Sequence, residues 1–169
     1  MGKFYGVIAG LIFWLLIAPG QVQAGSFEDA VAARNRGDFA AAFGQFQSLA
    51  NAGDPAAQFE LSLLYLNGKG VKPDTRQAMH WLKQAALRGH QPAQSNLGVA
   101  FNRGRYLAQN EVKAYIWSNI AAASGDRVAA TNRDVAARKF SPTELEQVKA
   151  LALECQRRFA DIAKLPQCL

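Results

Sequence analysis

The apolar positions of this chain fall into helical stripes, broken at regular intervals by glycine. After Asp54-Pro55, Phe59, Leu61, Leu63, Leu64 and Tyr65 lie in a helix-forming context. Asp suits a helix N-cap, and Pro is tolerated in the first turn because its missing N–H has no intrahelical partner there. Asn67-Gly68-Lys69-Gly70 ends this helix, since Gly accepts the positive φ of a helix terminus. Val71 to Asp74 then forms a loop, and Asp74 caps a second helix. That helix carries Ala78, Trp81, Leu82, Ala85 and Ala86 at spacings that share one face, and Gly89 ends it.

The same pattern returns 36 residues later without a gap. Ala57, Gln58, Leu61, Tyr65 and Gly68 meet Ala93, Gln94, Leu97, Phe101 and Gly104. Ser62 meets Gly98, Ala78 meets Ala114, Trp81 meets Trp117, Ala85-Ala86 meet Ala121-Ala122, and Gly89 meets Gly125. A fixed period of this length marks stacked supersecondary units that bury their faces against one another. Small residues let helices approach closely, and the large ones at Tyr65 and Trp81 fill the space between layers.

A shorter copy lies upstream, with Asp38, Ala42, Phe46, Leu49, Ala50 and Gly53 standing 36 residues before Asp74, Ala78, Leu82, Ala85, Ala86 and Gly89. Its first helix is expected from about Ser26 to Arg36. Downstream the period decays. Asp126 to Arg138 reads as a helix, and Ser141-Pro142-Thr143-Glu144 has the capping-box pattern of another that runs to about Phe159. A solenoid cannot leave its end layer bare, so this helix is expected to seal the array. The expected organisation is a leader over 1–24, a helix pair over 25–53, repeats over 54–89 and 90–125, and capping helices with a tail over 126–169.

The N-terminus changes the picture of location. Lys3 precedes an apolar run from Phe4 to Ala18, then Pro19-Gly20 and Val22-Gln23-Ala24, the pattern of a secretory signal peptide cut after Ala24. The 15-residue run is shorter than the roughly 20 residues of a membrane span. The expectation is a periplasmic or secreted protein, and the alternative is an uncleaved segment that tethers the chain to the inner membrane. Without Lys3, 18 Lys+Arg stand against 13 Asp+Glu, a net of +5. The charges are scattered, which suits a solvated surface, and with export no nucleic-acid partner is expected.

Chemistry is sparse. Cys155 and Cys168 could form a disulfide in an oxidising compartment, closing a loop of 14 residues counted inclusively, or remain two unpaired thiols. No metal site is expected, since two Cys without a nearby His fall short of four ligands. His80 and His90 read as surface or capping groups. Glu144 and Glu146 open a helix, where carboxylates suit the macrodipole better than paired acid–base work. Gly68-Lys69-Gly70 lacks the lysine-hydroxyl ending of a phosphate loop, and the repeat accounts for it. No catalytic residue and no cofactor is expected.

The string from Ala57-Gln58 through Leu61, Tyr65, Gly68, Gly70-Val71, Asp74, Ala78, Trp81 and Ala85-Ala86 to Gly89 resembles a Sel-one-like repeat (SLR), a relative of the tetratricopeptide repeat with a longer glycine loop. The second copy departs from it, with Tyr106 in place of the loop's second Gly and Asn110 in place of Asp. The region 26–53 is more like a plain tetratricopeptide unit. The ending from Trp117 to Ala123, with the Ser141-Pro142 helix, is similar to that of many small exported SLR proteins. The resemblance spans about residues 26–160 and implies an all-α, right-handed α/α solenoid of about three helix pairs with a C-terminal capping helix. It does not fix a task, because fold does not imply function.

In related arrays the first helices of successive repeats line a concave face. Phe59, Leu63, Leu66 and Asn67, then Ser95, Val99, Asn102 and Arg103, point away from the Leu61/Tyr65 packing side. Leu63, Leu66 and Val99 would form an apolar strip with Asn102 and Arg103 at its edge, where a protein partner could lie. The bland reading is that they pack internally. The expected function is non-catalytic protein–protein interaction in the bacterial cell envelope. One alternative is contact with an anionic membrane or polysaccharide surface through Lys69, Lys72, Arg76, Arg103 and Arg105. The other is a β-lactam-binding or hydrolysing enzyme, a role linked to SLR proteins with a cysteine pair in nearly every repeat. This chain has none there, and it lacks Ser-x-x-Lys.

Overall fold

The computed structural model describes residues 25–169. The expected leader lies outside the described residues. Helices α1 (Phe27–Asn35) and α2 (Phe39–Asn51) form the first pair, α3 (Pro55–Asn67) and α4 (Thr75–Leu87) the second, and α5 (Gln91–Arg103) and α6 (Glu111–Ala123) the third. Helix α7 (Arg127–Ala137) packs on α5 and α6. Helix α8 (Pro142–Arg157) lies on α6, followed by a 3-10 turn over Phe159–Lys164. The fold is an all-α solenoid of stacked helix pairs, and no strand occurs among the described residues.

Short polar side chains start most of these helices, since the first N–H groups have no intrahelical acceptor. Asp38, Asp54 and Asp74 accept from the amides of Ala41, Ala57 and Gln77. Asn110 does the same for Lys113 at 2.8 Å, so the second repeat keeps the cap while losing the carboxylate. Ser141 and Glu144 complete a capping box in which the Glu144 carboxylate accepts from the Ser141 amide at 2.8 Å. Those hydrogen bonds hold the Glu144 carboxyl below the usual carboxylate range.

Consecutive repeats are joined by one recurring polar contact. Gln58 Nε2 donates to the carbonyl of Ala50 at 3.1 Å, and Gln94 Nε2 to that of Ala86 at 3.2 Å. Both glutamines are buried, as are Ala57 and Ala93 beside them. A buried amide is costly unless bonded. Each one therefore fixes the first helix of a repeat against the end of the helix before it.

The core forms two clusters with a shared border. Phe46, Leu61 and Leu64 anchor the first, with Trp81 against it. Leu97, Ile116, Trp117 and Ile120 anchor the second, which continues through Val148 and Ala152 of α8. Tyr65 packs against both clusters and meets the Phe43 ring edge-on at 5.3 Å. Helix α8 thus covers the end layer with its buried Val148, Ala152 and Cys155. Cys155 and Cys168 are joined by a disulfide, with Cα atoms 6.0 Å apart. It fastens the tail, whose Ile162 and Leu165 are buried in the same cluster, and contributes about 3 kcal/mol in the chain-entropy model.

Within the third pair the helices touch at Gly98. A Cβ there would lie 2.5 Å from Ser118 Oγ and 3.1 Å from the Ser118 nitrogen. The corresponding position in the preceding repeat is Ser62, so α5 and α6 approach more closely than a side chain at Gly98 would permit.

Gln94→Ala removes the donor and leaves a gap beside the Ala86 carbonyl, which keeps its bond from the Gly89 amide at 3.1 Å. The expected loss is about 0.5–1.5 kcal/mol for the hydrogen bond in a urea unfolding titration, with the slope unchanged.

Candidate functional site

The site is a cleft where α3, α4 and α5 meet. Leu63 and Leu66 come from α3, Met79 and Leu82 from α4, and Val99 and Ala100 from α5. Arg103, Arg105 and Tyr106 form its rim, with Asn96 and Ser62 completing the wall. Its volume is about 140 Å³. An apolar cavity of ~150 Å³ holds a benzene-sized group.

The expected strip is partly brought together here. Leu63, Leu66, Val99 and Arg103 all line the cleft. Phe59 does not: it is half-buried and its ring lies 4.9 Å from the His90 imidazole at the start of α5. Asn67 is exposed and donates to the Leu63 carbonyl at 2.8 Å, closing its own helix end. Ser95 is buried and Asn102 is half-buried, and neither reaches the cleft. The lining stripe of α5 is Asn96, Val99, Ala100 and Arg103, spaced 3, 4 and 7. Met79, Leu82 and Tyr106 were not singled out for this face in the sequence. The helical period places Met79 and Leu82 on α4, but it does not say which gap between neighbouring helices they close.

The rim is built by an unusual loop. In the first repeat Gly70 has φ +73°, and a Cβ there would fall on the carbonyl oxygen of Phe39. The aligned residue of the second repeat, Tyr106, has φ +70°. The loop therefore keeps its backbone path while placing an aromatic side chain in the left-handed region, which L-residues avoid. Both loops return in the same way, with the Asp74 amide bonded to the Tyr65 carbonyl and the Asn110 amide to that of Phe101, each at 3.1 Å. The Arg105 guanidinium sits 4.6 Å from the Tyr106 ring centroid, a cation–π contact that holds the cation at the cleft mouth.

The other basic residues are dispersed. Lys72 lines a separate cleft beside Trp81, and Arg76 lines another with His80, Lys83 and Tyr106. Lys69 lies 4.7 Å over the Phe39 ring. A further cavity of about 170 Å³ is bounded by His80, Lys83, Trp117 and the C-terminal Leu169. Among the described residues no cluster of three or more His, Cys, Asp or Glu could hold a metal ion.

Comparison with known proteins bears on the repeats and the fold. The Sel1 repeat model matches residues 55–90 and 91–126. A Sel1 repeat protein from Oxalobacter formigenes is similar in structure, with a TM-score of 0.53 and 30% identity over 69% of this chain and 95% of that one. A protective antigen of uropathogenic Escherichia coli strains, described as displaying an SLR fold, is similar with a TM-score of 0.68 and 28% identity over 83% of this chain. The present chain spans about a third of that protein, 33% of its length. No curated protein matches. The chain belongs to the Sel1 repeat family. Proteins of this repeat class generally serve as protein–protein interaction modules and are typically non-catalytic.

His90 gives the joint between the repeats a pH dependence. Burial lowers its pKa, while the Glu60 and Asp54 carboxylates act in the opposite sense. The fold thus favours the neutral imidazole. Its stability contribution is complete above the ordinary histidine value of 6.5 and declines as pH falls below it, because the unfolded chain takes the proton first. His90→Gln is expected to narrow the difference in unfolding free energy between about pH 7.5 and pH 5.5.

Proposed function

We propose that this protein is a non-catalytic adaptor of the bacterial cell envelope, exported through its N-terminal segment and working in the periplasm by holding a protein partner in the α3–α4–α5 cleft. The observation that carries the reading is the convergence of Leu63, Leu66, Met79, Leu82 and Val99 on one concave site at the joint between the two repeats. Concave apolar sites with a few polar groups at the edge are where helical arrays accept peptide segments. Lys72 stands in a cleft that shares no lining residue with that of the Arg103–Arg105 pair, while Arg76 adjoins the pair across Met79 and Tyr106, so the basic residues do not all share one anionic-surface patch.

The partner reading is tested by in-cell photo-crosslinking from position 96, which lines the cleft and is exposed. One envelope protein should be crosslinked by the parent chain and lost in Leu63→Glu, while circular dichroism shows the variant still helical. Equal crosslinking by both would remove the cleft from consideration. The export reading predicts a periplasmic product with the mass of residues 25–169 less two hydrogens, for a cut after Ala24 and one disulfide. A product that retains residues 1–24 in the membrane fraction would replace the free periplasmic form by the tethered one.

A further inference from the structure

The cleft has two chemistries at different depths. Its floor is aliphatic, while its rim carries two guanidinium groups and no carboxylate. Among the described residues neither Arg103 nor Arg105 is in an ion pair. Both are exposed. Six of the 18 basic side chains in the described residues are in ion pairs, among them Lys139 with Glu111, so what sets these two apart is their place together at the mouth of an apolar cleft. Glu111, the acidic residue that opens α6 beyond this loop, is thus taken by Lys139 and by the Gln109 side chain.

Tyr106 adds a second, independent observation. A left-handed backbone at a bulky residue is strained, and such strain persists where the surrounding structure holds it and clusters at binding sites. The first repeat meets the same backbone requirement with Gly70 at no such cost. What the tyrosine supplies is a wall of the cleft and a ring under the Arg105 guanidinium.

Resting on the adaptor reading, we infer that the cleft recognises an acidic peptide segment: one apolar side chain of leucine or phenylalanine size enters the cavity, and an adjacent carboxylate docks on Arg103 and Arg105. The volume of about 140 Å³ is on the scale of one such side chain, which makes a single apolar residue the anchor tested. Guanidinium groups suit the carboxylate because their planar forks can bond both oxygens at once. Charge complementarity of this kind sets partner choice and encounter rate, and it weakens with salt.

The test titrates capped synthetic peptides into the mature, disulfide-bonded chain, read by amide chemical shifts, which register weak binding. The peptides carry a central Asp-Leu-Glu, Asn-Leu-Gln or Asp-Ser-Glu. The Asp-Leu-Glu peptide should shift Val99, Ala100 and Tyr106. The amide and serine peptides should each bind about tenfold more weakly, and raised salt should erase the advantage of the acidic one. Arg103→Gln with Arg105→Gln should remove that advantage without altering the spectrum elsewhere. Tyr106→Gly should weaken the acidic peptide at an unchanged or higher melting temperature, which a merely structural tyrosine would not do. Equal binding of Asp-Leu-Glu and Asn-Leu-Gln would overturn the acidic specificity while leaving the adaptor reading intact. If no peptide shifts the cleft, or phosphatidylglycerol vesicles shift it and the peptides do not, this inference fails. The adaptor reading is then decided separately by crosslinking from position 96.

Discussion

Two buried side-chain amides set the geometry on which the rest of this array depends. Gln58 reaches back to the Ala50 carbonyl and Gln94 to that of Ala86, each across the turn that joins one helix pair to the next. The apolar contacts around them are non-directional and tolerate sliding. A buried hydrogen bond does not, because a small displacement leaves a donor or acceptor unpaired in a low-dielectric interior. The same bond at the same position in two copies imposes the same step between layers. The alanines at positions 57 and 93 then let the helices close, and the cleft forms where successive steps bring α3, α4 and α5 together.

The second loop shows how a repeat can diverge without losing its path. Asn110 keeps the cap that Asp74 supplies in the first copy. Tyr106 keeps the positive φ of Gly70. In the first copy the glycine is obligatory, because the loop backbone lies against Phe39 and leaves no room for a Cβ. The second copy accommodates a side chain at the equivalent place, and that side chain becomes part of the candidate site. The backbone requirement is shared by both loops, while the space around it differs between layers.

Much of the fold was legible because its signals are local. The helices after Asp54, Asp74 and Ser141 announce themselves by a capping residue followed by apolar positions at helical spacing, and the 36-residue self-match states that the units stack. The candidate site was legible only in part. Phe59, Leu63 and Leu66 do share a stripe on α3, yet Phe59 is covered by His90 at the start of the next repeat and the two leucines remain open to the cleft. Periodicity gives the angle of a side chain around its helix. It does not say how far along that helix a neighbour closes over it.

The sequence alone therefore determined the helices, their caps, the repeat length and the possibility of joining Cys155 to Cys168, because each depends on residues close in the chain or on a fixed period. The tertiary structure decided which face of α5 lines the cleft, that Met79 and Leu82 form its floor, and that Tyr106 carries Arg105 at its mouth. Those outcomes depend on the tilt and separation of helices from different repeats. That arrangement is settled by many small packing contacts and two buried hydrogen bonds acting together, and no single segment of the chain contains it.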